Sequence, residues 1–221
     1  MRETVPRMKL YLASTNPGKL REFQLAAGAR GVTVEPVPGI QNLPGCAEDG
    51  DTFEANARKK ALHYAVFAEG PVFADDSGIC VDALGGAPGV YSARYAGPGA
   101  TDVENNRKLM LDLAQVSGSA SSLRTLRAPS AGRDSWGYPA HYSCVVVLAE
   151  DRVIRAVVEG QVNGLLVTSP HGAGGFGYDP YFFYPPLGQT FAEISAEAKF
   201  DVSHRGIAFR KLLDTLAPNK A

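Results

Sequence analysis

Apolar and polar positions follow two rhythms along this chain, and the rhythms alternate. Residues 8–14, "MKLYLAS", form a short mostly apolar run that predicts a buried strand. Residues 17–28 change period and place Leu20, Phe23 and Ala27 on one face of a helix. "VTVEPV" (32–37) predicts a second strand, weakened at one end by Pro36. A helix over 52–68 follows, with Phe53, Ala57, Ala61, Tyr64, Ala65 and Ala68 as its apolar stripe. Residues 71–84 predict two strands broken by an acidic turn, and the Gly- and Pro-rich stretch 85–100 predicts no regular structure. A helix over 101–114 opens on a capping box, Thr101 with Glu104. Strands at 142–149 and 152–160, joined by Glu150 and Asp151, predict a hairpin. A Gly- and aromatic-rich loop over 172–189 precedes a last helix at 203–217, with Ile207, Leu212, Leu213 and Leu216 inward. Strands and helices are interspersed, with hairpins as well as crossovers, so the expected class is α/β with a mixed sheet.

Two stretches fall outside these rhythms. Residues 1–7 predict a loose extension before a single domain over 8–221. Residues 115–141 are Ser-rich, with three arginines against one aspartate between 117 and 140, and predict a mobile loop. Composition adds limits. A chain of 221 residues, 45% apolar and 20% charged, has the profile of a soluble globular protein. A formal net charge of −1 supplies no global field for nucleic acid or an anionic membrane, so an anionic ligand needs a local cluster of cations. Three cysteines, Cys46, Cys80 and Cys144, without C-x-x-C spacing argue against a disulfide framework or a zinc site. With no signal-peptide or spanning pattern, the expected location is the cytoplasm.

Candidate chemistry gathers in a few places. "LASTNPGKLREF" (12–23) looks like a phosphate loop but is not the P-loop motif, because Ala13 stands where the first glycine belongs and Leu20 where the hydroxyl belongs. Asn16 suits a helix cap and Pro17 the first helical position, Gly18 adds no side chain, Ser14 and Thr15 add donors, and Lys19 adds a cation. Two readings stand here: a phosphate site built on free backbone N–H groups, or an ordinary capped helix with a solvated lysine. A second helix start carries His204 and Arg205 after Ser203, with Lys199 just before; cations there oppose the helix dipole, and an anion would relieve them. Asp75 and Asp76 interrupt an apolar strand, and alternation sends them to opposite sides. Glu48, Asp49 and Asp51 lie in a loop, and one or two carboxylates plus substrate phosphates suit Mg²⁺. In "GGFGYDP", Phe176 has the ring to stack on a purine, and Asp179 or loop amides the groups to read its edge.

Five stretches in order, "STNPGKLREF", "EDGDTFEANARKKA", "ADDSGICVDALGGAPGVYSARYAG", "GGFGYDPYFF" and "SAEAKFDVSHRGIAFRKL", resemble the inosine triphosphate pyrophosphatases over nearly the whole chain. The resemblance implies an elongated mixed sheet flanked by helices, two lobes with the active site in a cleft between them, and a homodimer without nucleic-acid or membrane partners. It implies Mg²⁺-dependent hydrolysis of ITP, dITP and XTP to the monophosphate and pyrophosphate. It implies triphosphate binding by Ser14, Thr15, Asn16, Pro17, Gly18 and Lys19, metal binding by Glu48 and Asp76, and Asp76 as general base. Ser77, Phe176, Gly177, Tyr178, Asp179, Lys199, His204 and Arg205 would bind the rest of the substrate. The chain departs from the family pattern after Thr52-Phe53, where Ala55 replaces the usual glutamate before Asn56 and the acid moves to Glu54. Alternatives are a Maf-like pyrophosphatase for modified pyrimidine triphosphates, or a nucleotide-binding module without catalysis.

Overall fold

The interspersed rhythms fold into one open mixed sheet with helices flanking it. The computed structural model describes residues 8–119, 126–127 and 136–216. In chain order the elements are β1 (Lys9–Leu12), α1 (Pro17–Ala29), β2 (Thr33–Pro36), α2 (Phe53–Tyr64), β3 (Val72–Val81), α3 (Asp102–Ser119), β4 (Leu126–Arg127), β5 (Trp136–Glu150), β6 (Val153–Val167), β7 (Phe182–Tyr184), β8 (Gln189–Thr190), α4 (Ala196–Val202) and α5 (His204–Leu216). The strand order is β2-β1-β3-β5-β6-β7-β8, with β4 paired to β5. β1 runs parallel to β2 and β3, while β7 is antiparallel to both β6 and β8.

The chain divides into two units, and each has its own core. The first comprises Met1–Asp76, Cys144–Gly160 and Arg205–Ala221. There β3 is covered on both faces. Phe73 meets Phe23 of α1 and Phe209 of α5, with ring centroids 5.0 and 5.3 Å away. The neighbouring residues Val72 and Ala74 point the other way, to Ala57, Ala61 and Tyr64 of α2. Each fully buried phenylalanine contributes about 2–3 kcal/mol of apolar transfer. The second unit comprises Ser77–Ser143 and Gln161–His204. Leu109 and Leu113 of α3 pack with Ile79, Val81, Tyr142, Phe182 and Phe191.

Several expectations are corrected. Residues 72–81 are one uninterrupted strand, so Asp75 and Asp76 lie mid-strand instead of at a turn. Burial by helices on both sides lets the strand continue through two acids, which sequence periodicity reads as a break. α3 runs to Ser119, and β5 starts at Trp136, so the ends of the expected 115–141 loop are helix and strand; most of the remainder of that loop, like residues 1–7, lies outside the described residues. The hairpin strands are fifteen residues each, about twice the expected length. α4 precedes the last helix, and Ser203 closes α4. The expected loop over 172–189 contains β7. Phe209, absent from the expected apolar face of α5, is fully buried, while Ile207 and Leu216 are only partly so.

The β5–β6 hairpin turns at Asp151 and Arg152, one residue later than expected, and both have left-handed φ values, 51° and 61°. Two positive central φ values make a type I′ turn, which favours Asn-Gly. Asp151→Asn with Arg152→Gly should stabilise the protein by about 1 kcal/mol, read as a rise of roughly 2–4 °C in Tm. An unchanged or lower Tm refutes the turn assignment.

Candidate active site

In the first unit, β1 lies between β2 and β3, and the chain leaves β1 toward β2 on one side while β3 docks on the other. Ligands of open α/β sheets gather outside the carboxyl ends of strands at such a reversal. The stretch 14–19 leaves β1 at this point. β1 is in register with β3 through Leu12 and Phe73, so Asp75 and Asp76 follow immediately beyond. Asn16 caps α1, its Oδ1 accepting the N–H groups of Gly18 at 2.8 Å and Lys19 at 3.1 Å, and Pro17 takes the first turn. Ser14 Oγ accepts the Asn16 N–H at 3.2 Å. The backbone N–H groups of Asn16, Gly18 and Lys19 at this helix start are therefore engaged by local side chains. Thr15 is exposed and Lys19 half-buried.

Alternation along β3 decides what each acid meets. Asp75 shares the face of Phe73 and points to α1 and α5. Its carboxylate lies 2.9 Å from Lys19 Nζ and 3.4 Å from Arg205 Nε, and Arg205 also pairs with Glu22. All but Lys19 are more than nine-tenths buried. Burial pushes the Asp75 carboxyl upward, but Lys19, Arg205 and Lys60 outweigh it and hold the group well below the usual carboxylate range. Lys19 and Arg205, one at each helix start, thus have carboxylate partners, where an anionic ligand was expected to relieve them.

Asp76 shares the face of Ala74 and points to α2. Asn56, fully buried, donates from Nδ2 to Asp76 Oδ2 at 3.0 Å and accepts the Gly50 N–H at 2.8 Å, tying the acidic loop to the strand. Lys60 Nζ sits 2.8 Å from Glu48 Oε2 and 3.7 Å from Asp76 Oδ1. Burial raises the Asp76 carboxyl above its ordinary value, with Lys60, Lys19 and Asn56 offsetting part of it. Burial works against the Lys60 ammonium, and Asp76, Asp75 and Glu48 overcome it, so its pKa is raised. Glu48 and Asp76 therefore already converge on one positive charge. Two hard carboxylates around a cation suit Mg²⁺ completed by substrate phosphates. No cluster of three or more His, Cys, Asp or Glu forms a metal site of its own among the described residues.

The second unit holds the remaining candidates. Asp179 is buried, and its Oδ2 accepts the Phe176 N–H at 2.8 Å and a bond from Lys199 Nζ at 2.6 Å. Gly175 adopts φ +70°, and a Cβ there would sit 2.1 Å from Asp179 Oδ2, so glycine is what permits this closed turn. Lys199 lies 4.6 Å from the Phe176 ring centroid. Tyr178 is buried, with its hydroxyl donating to the Ser92 carbonyl at 2.7 Å. Gly177 is left-handed at φ +63°. His204 is buried and stacks on Tyr142 at 4.5 Å. Ser77 lies on β3, half-buried. The Asp179 carboxylate is thus engaged by a backbone group of its own loop and by Lys199 of α4.

Asn56, Lys60 and Glu22 join the site without having stood out in the sequence. The signal existed for the first two, because they stand four apart beside Ala57 and Ala61 and would share the buried side of α2. Glu22 carried none, since its partner is 183 residues away. Burial pushes the Cys46, Cys80 and Cys144 thiols up, which disfavours the thiolate at each.

The family model described as the Ham1 family matches residues 10–215. The chain belongs to the Ham1 family. It is 44% identical over 213 residues to a dITP/XTP pyrophosphatase of Yersinia pestis, covering 94% of this chain and 98% of that one. It is 41% identical over 208 residues to a dITP/XTP pyrophosphatase of Geobacter sulfurreducens, covering 94% and 96%. Of a matching Streptococcus thermophilus protein, the chain spans 58% of the length. A solved HAM1 protein of Coxiella burnetii superposes with a TM-score of 0.77 at 34% identity, covering 95% of this chain and 98% of that one. The mixed sheet and its flanking helices are thus the Ham1 fold. No helix among the described residues is long and apolar enough to cross a membrane.

Proposed function

We propose that the chain hydrolyses purine nucleoside triphosphates with non-standard bases, ITP, dITP and XTP, to the monophosphate and pyrophosphate. The observation that carries the reading is the Asp76 carboxylate, buried on β3 and held by Asn56 while Glu48 and Lys60 stand beside it, in a chain of the Ham1 family. Water attacks the α-phosphorus, the bond from that phosphorus to the oxygen bridging to the β-phosphate breaks, and pyrophosphate leaves. Asp76 takes the proton of the attacking water. Mg²⁺, held by Glu48 and Asp76, would neutralise phosphate charge and acidify a water. Lys19 and the hydroxyls of Ser14 and Thr15 bind phosphate, and Asn16, Pro17 and Gly18 shape that helix start. Arg205 acts through Asp75, since its guanidinium is buried and paired.

At the base end, Phe176 offers its ring. Within 176–179 the N–H groups of Phe176, Gly177 and Asp179 are engaged. The Tyr178 N–H, the remaining one of the four, suits a purine O6 acceptor. Adenine presents a donor there, leaving both groups unpaired, which is the costly kind of mismatch. Ser77, Lys199 and His204 complete this reading. The enzyme works as a cytoplasmic homodimer on a small-molecule substrate, and its net charge of −1 supplies no field for nucleic acid or an anionic membrane.

A hydrolysis panel with Mg²⁺ and ITP, XTP, GTP, ATP and a modified dUTP tests this. Monophosphate and pyrophosphate should form from ITP and XTP, and far more slowly from ATP and GTP. Orthophosphate as the only released product, equal rates on all five, or preference for the dUTP would defeat the reading.

A further inference from the structure

The first two turns of α3 grip the loop 176–179, and none of the site residues considered above lies on that helix. Asp102 Oδ2 accepts the Gly177 N–H at 2.7 Å. One turn later Asn106 Nδ2 donates to the Gly177 carbonyl at 2.9 Å. Between them, Asn105 accepts the Ala96 N–H at 2.8 Å and donates to the Ala93 carbonyl at 3.2 Å. That bond pair fixes the end of the 3-10 segment Gly89–Arg94, whose Ser92 carbonyl holds the Tyr178 hydroxyl. One helix therefore anchors Gly177 at both polar groups and Tyr178 through an intermediary.

Asn106 is the informative member. It is 8% exposed, and its Oδ1 is buried without a hydrogen-bond partner in the described structure. A buried unsatisfied acceptor is unfavourable, and an apolar side chain of similar size would avoid it. The amide makes physical sense through its other end, the donor to Gly177. Gly177 needs that hold. It is left-handed at φ +63°, carries no side chain, and separates Phe176 from Tyr178. Unclamped, it is the freest point of the loop.

We propose that Asp102 and Asn106 are positioning residues for purine recognition: by fixing both polar groups of Gly177 they set the plane of the Phe176 ring and the direction of the Tyr178 N–H. The proposal rests on the reading of 176–179 as the base-binding run. Both act through Gly177, so their removal should weaken base binding and leave phosphate binding alone.

The test compares Asn106→Leu, Asp102→Ala and Asp102→Asn with the wild-type chain. Asn106→Leu and Asp102→Ala should each raise KM for ITP about tenfold, the scale of one lost hydrogen bond. kcat should stay within about twofold, and inhibition by pyrophosphate should not change. Amide hydrogen exchange at 176–179 should speed up about tenfold in both, with α1 unchanged. Asp102→Asn keeps an acceptor oxygen and should restore most of the loss. An unchanged KM for ITP overturns the proposal. So does a parallel shift in pyrophosphate inhibition, which marks a general loss of structure, or an Asp102→Asn variant as impaired as Asp102→Ala. If Asp102→Ala does not fold, Asn106→Leu decides. A wild-type chain inert toward ITP defeats the pyrophosphatase reading instead, and exchange at Gly177 then decides the clamp alone: unchanged exchange overturns it.

Discussion

Asp76→Asn protein should fold normally and lose turnover of ITP by a factor of about 10²–10⁴, the range expected when a positioned proton acceptor is removed. Folding should survive because the ionised carboxylate is already disfavoured there: burial raises its pKa. A neutral amide of the same shape relieves that desolvation and can still face Asn56. Lys60 keeps its closer partner, Glu48 at 2.8 Å. The measurements are initial rates of pyrophosphate release beside a thermal melt. Full activity in the variant defeats the assignment of Asp76, and a collapsed melt shows that the carboxylate is structural.

The neighbouring acid should behave in the opposite way. Asp75→Ala takes one carboxylate from the buried Arg205, which also pairs with Glu22, and removes the carboxylate beside Lys19. Breaking a buried ion pair from one side costs about 3–5 kcal/mol, or roughly 10 °C of Tm for a chain of this size. Acid should reveal the same linkage. Burial opposes the Asp75 charge, but Lys19, Arg205 and Lys60 prevail, so its folded pKa lies below the unfolded value. Such a group stabilises the fold above its unfolded pKa of about 3.9, and that stability fades as pH falls toward the folded pKa. The difference in unfolding free energy between wild type and Asp75→Ala should therefore be full near neutrality and shrink below about pH 4. A gap independent of pH, or a Tm within 2 °C of wild type, refutes the role given to this carboxylate.

How much of this was legible in the sequence depended on how local each cause is. The α1 cap was legible, because Asn16-Pro17-Gly18 carries its signal within three residues. So was the capping box, where Thr101 and Glu104 exchange bonds as expected. The placement of Asp75 and Asp76 on opposite faces followed from strand alternation alone. That β3 runs unbroken through them did not, because the neutralising partners come from α1, α2 and α5. The same non-locality hid Glu22 and Lys60. For the base end, the aromatic and glycine content of 172–189 marked a loop of interest, yet the engagement of Asp179 by Lys199 and the Phe176 N–H depends on a turn geometry that residue types do not specify.

The Arg205 ion pairs also set a timetable for biosynthesis. Arg205 lies 183 residues after Glu22 and 130 after Asp75. On a ribosome adding about 5–20 residues per second, Glu22 waits roughly 10–40 s for its counter-ion. The first unit, whose opening segment is made first, is thus completed last, since α5 supplies both Arg205 and Phe209. The second unit ends at His204 and has its whole sequence one residue before Arg205 is made. A nascent chain interrupted before that residue carries uncompensated acids and an uncovered Phe23–Phe73 pair, the kind of exposed surface that chaperones and proteases recognise.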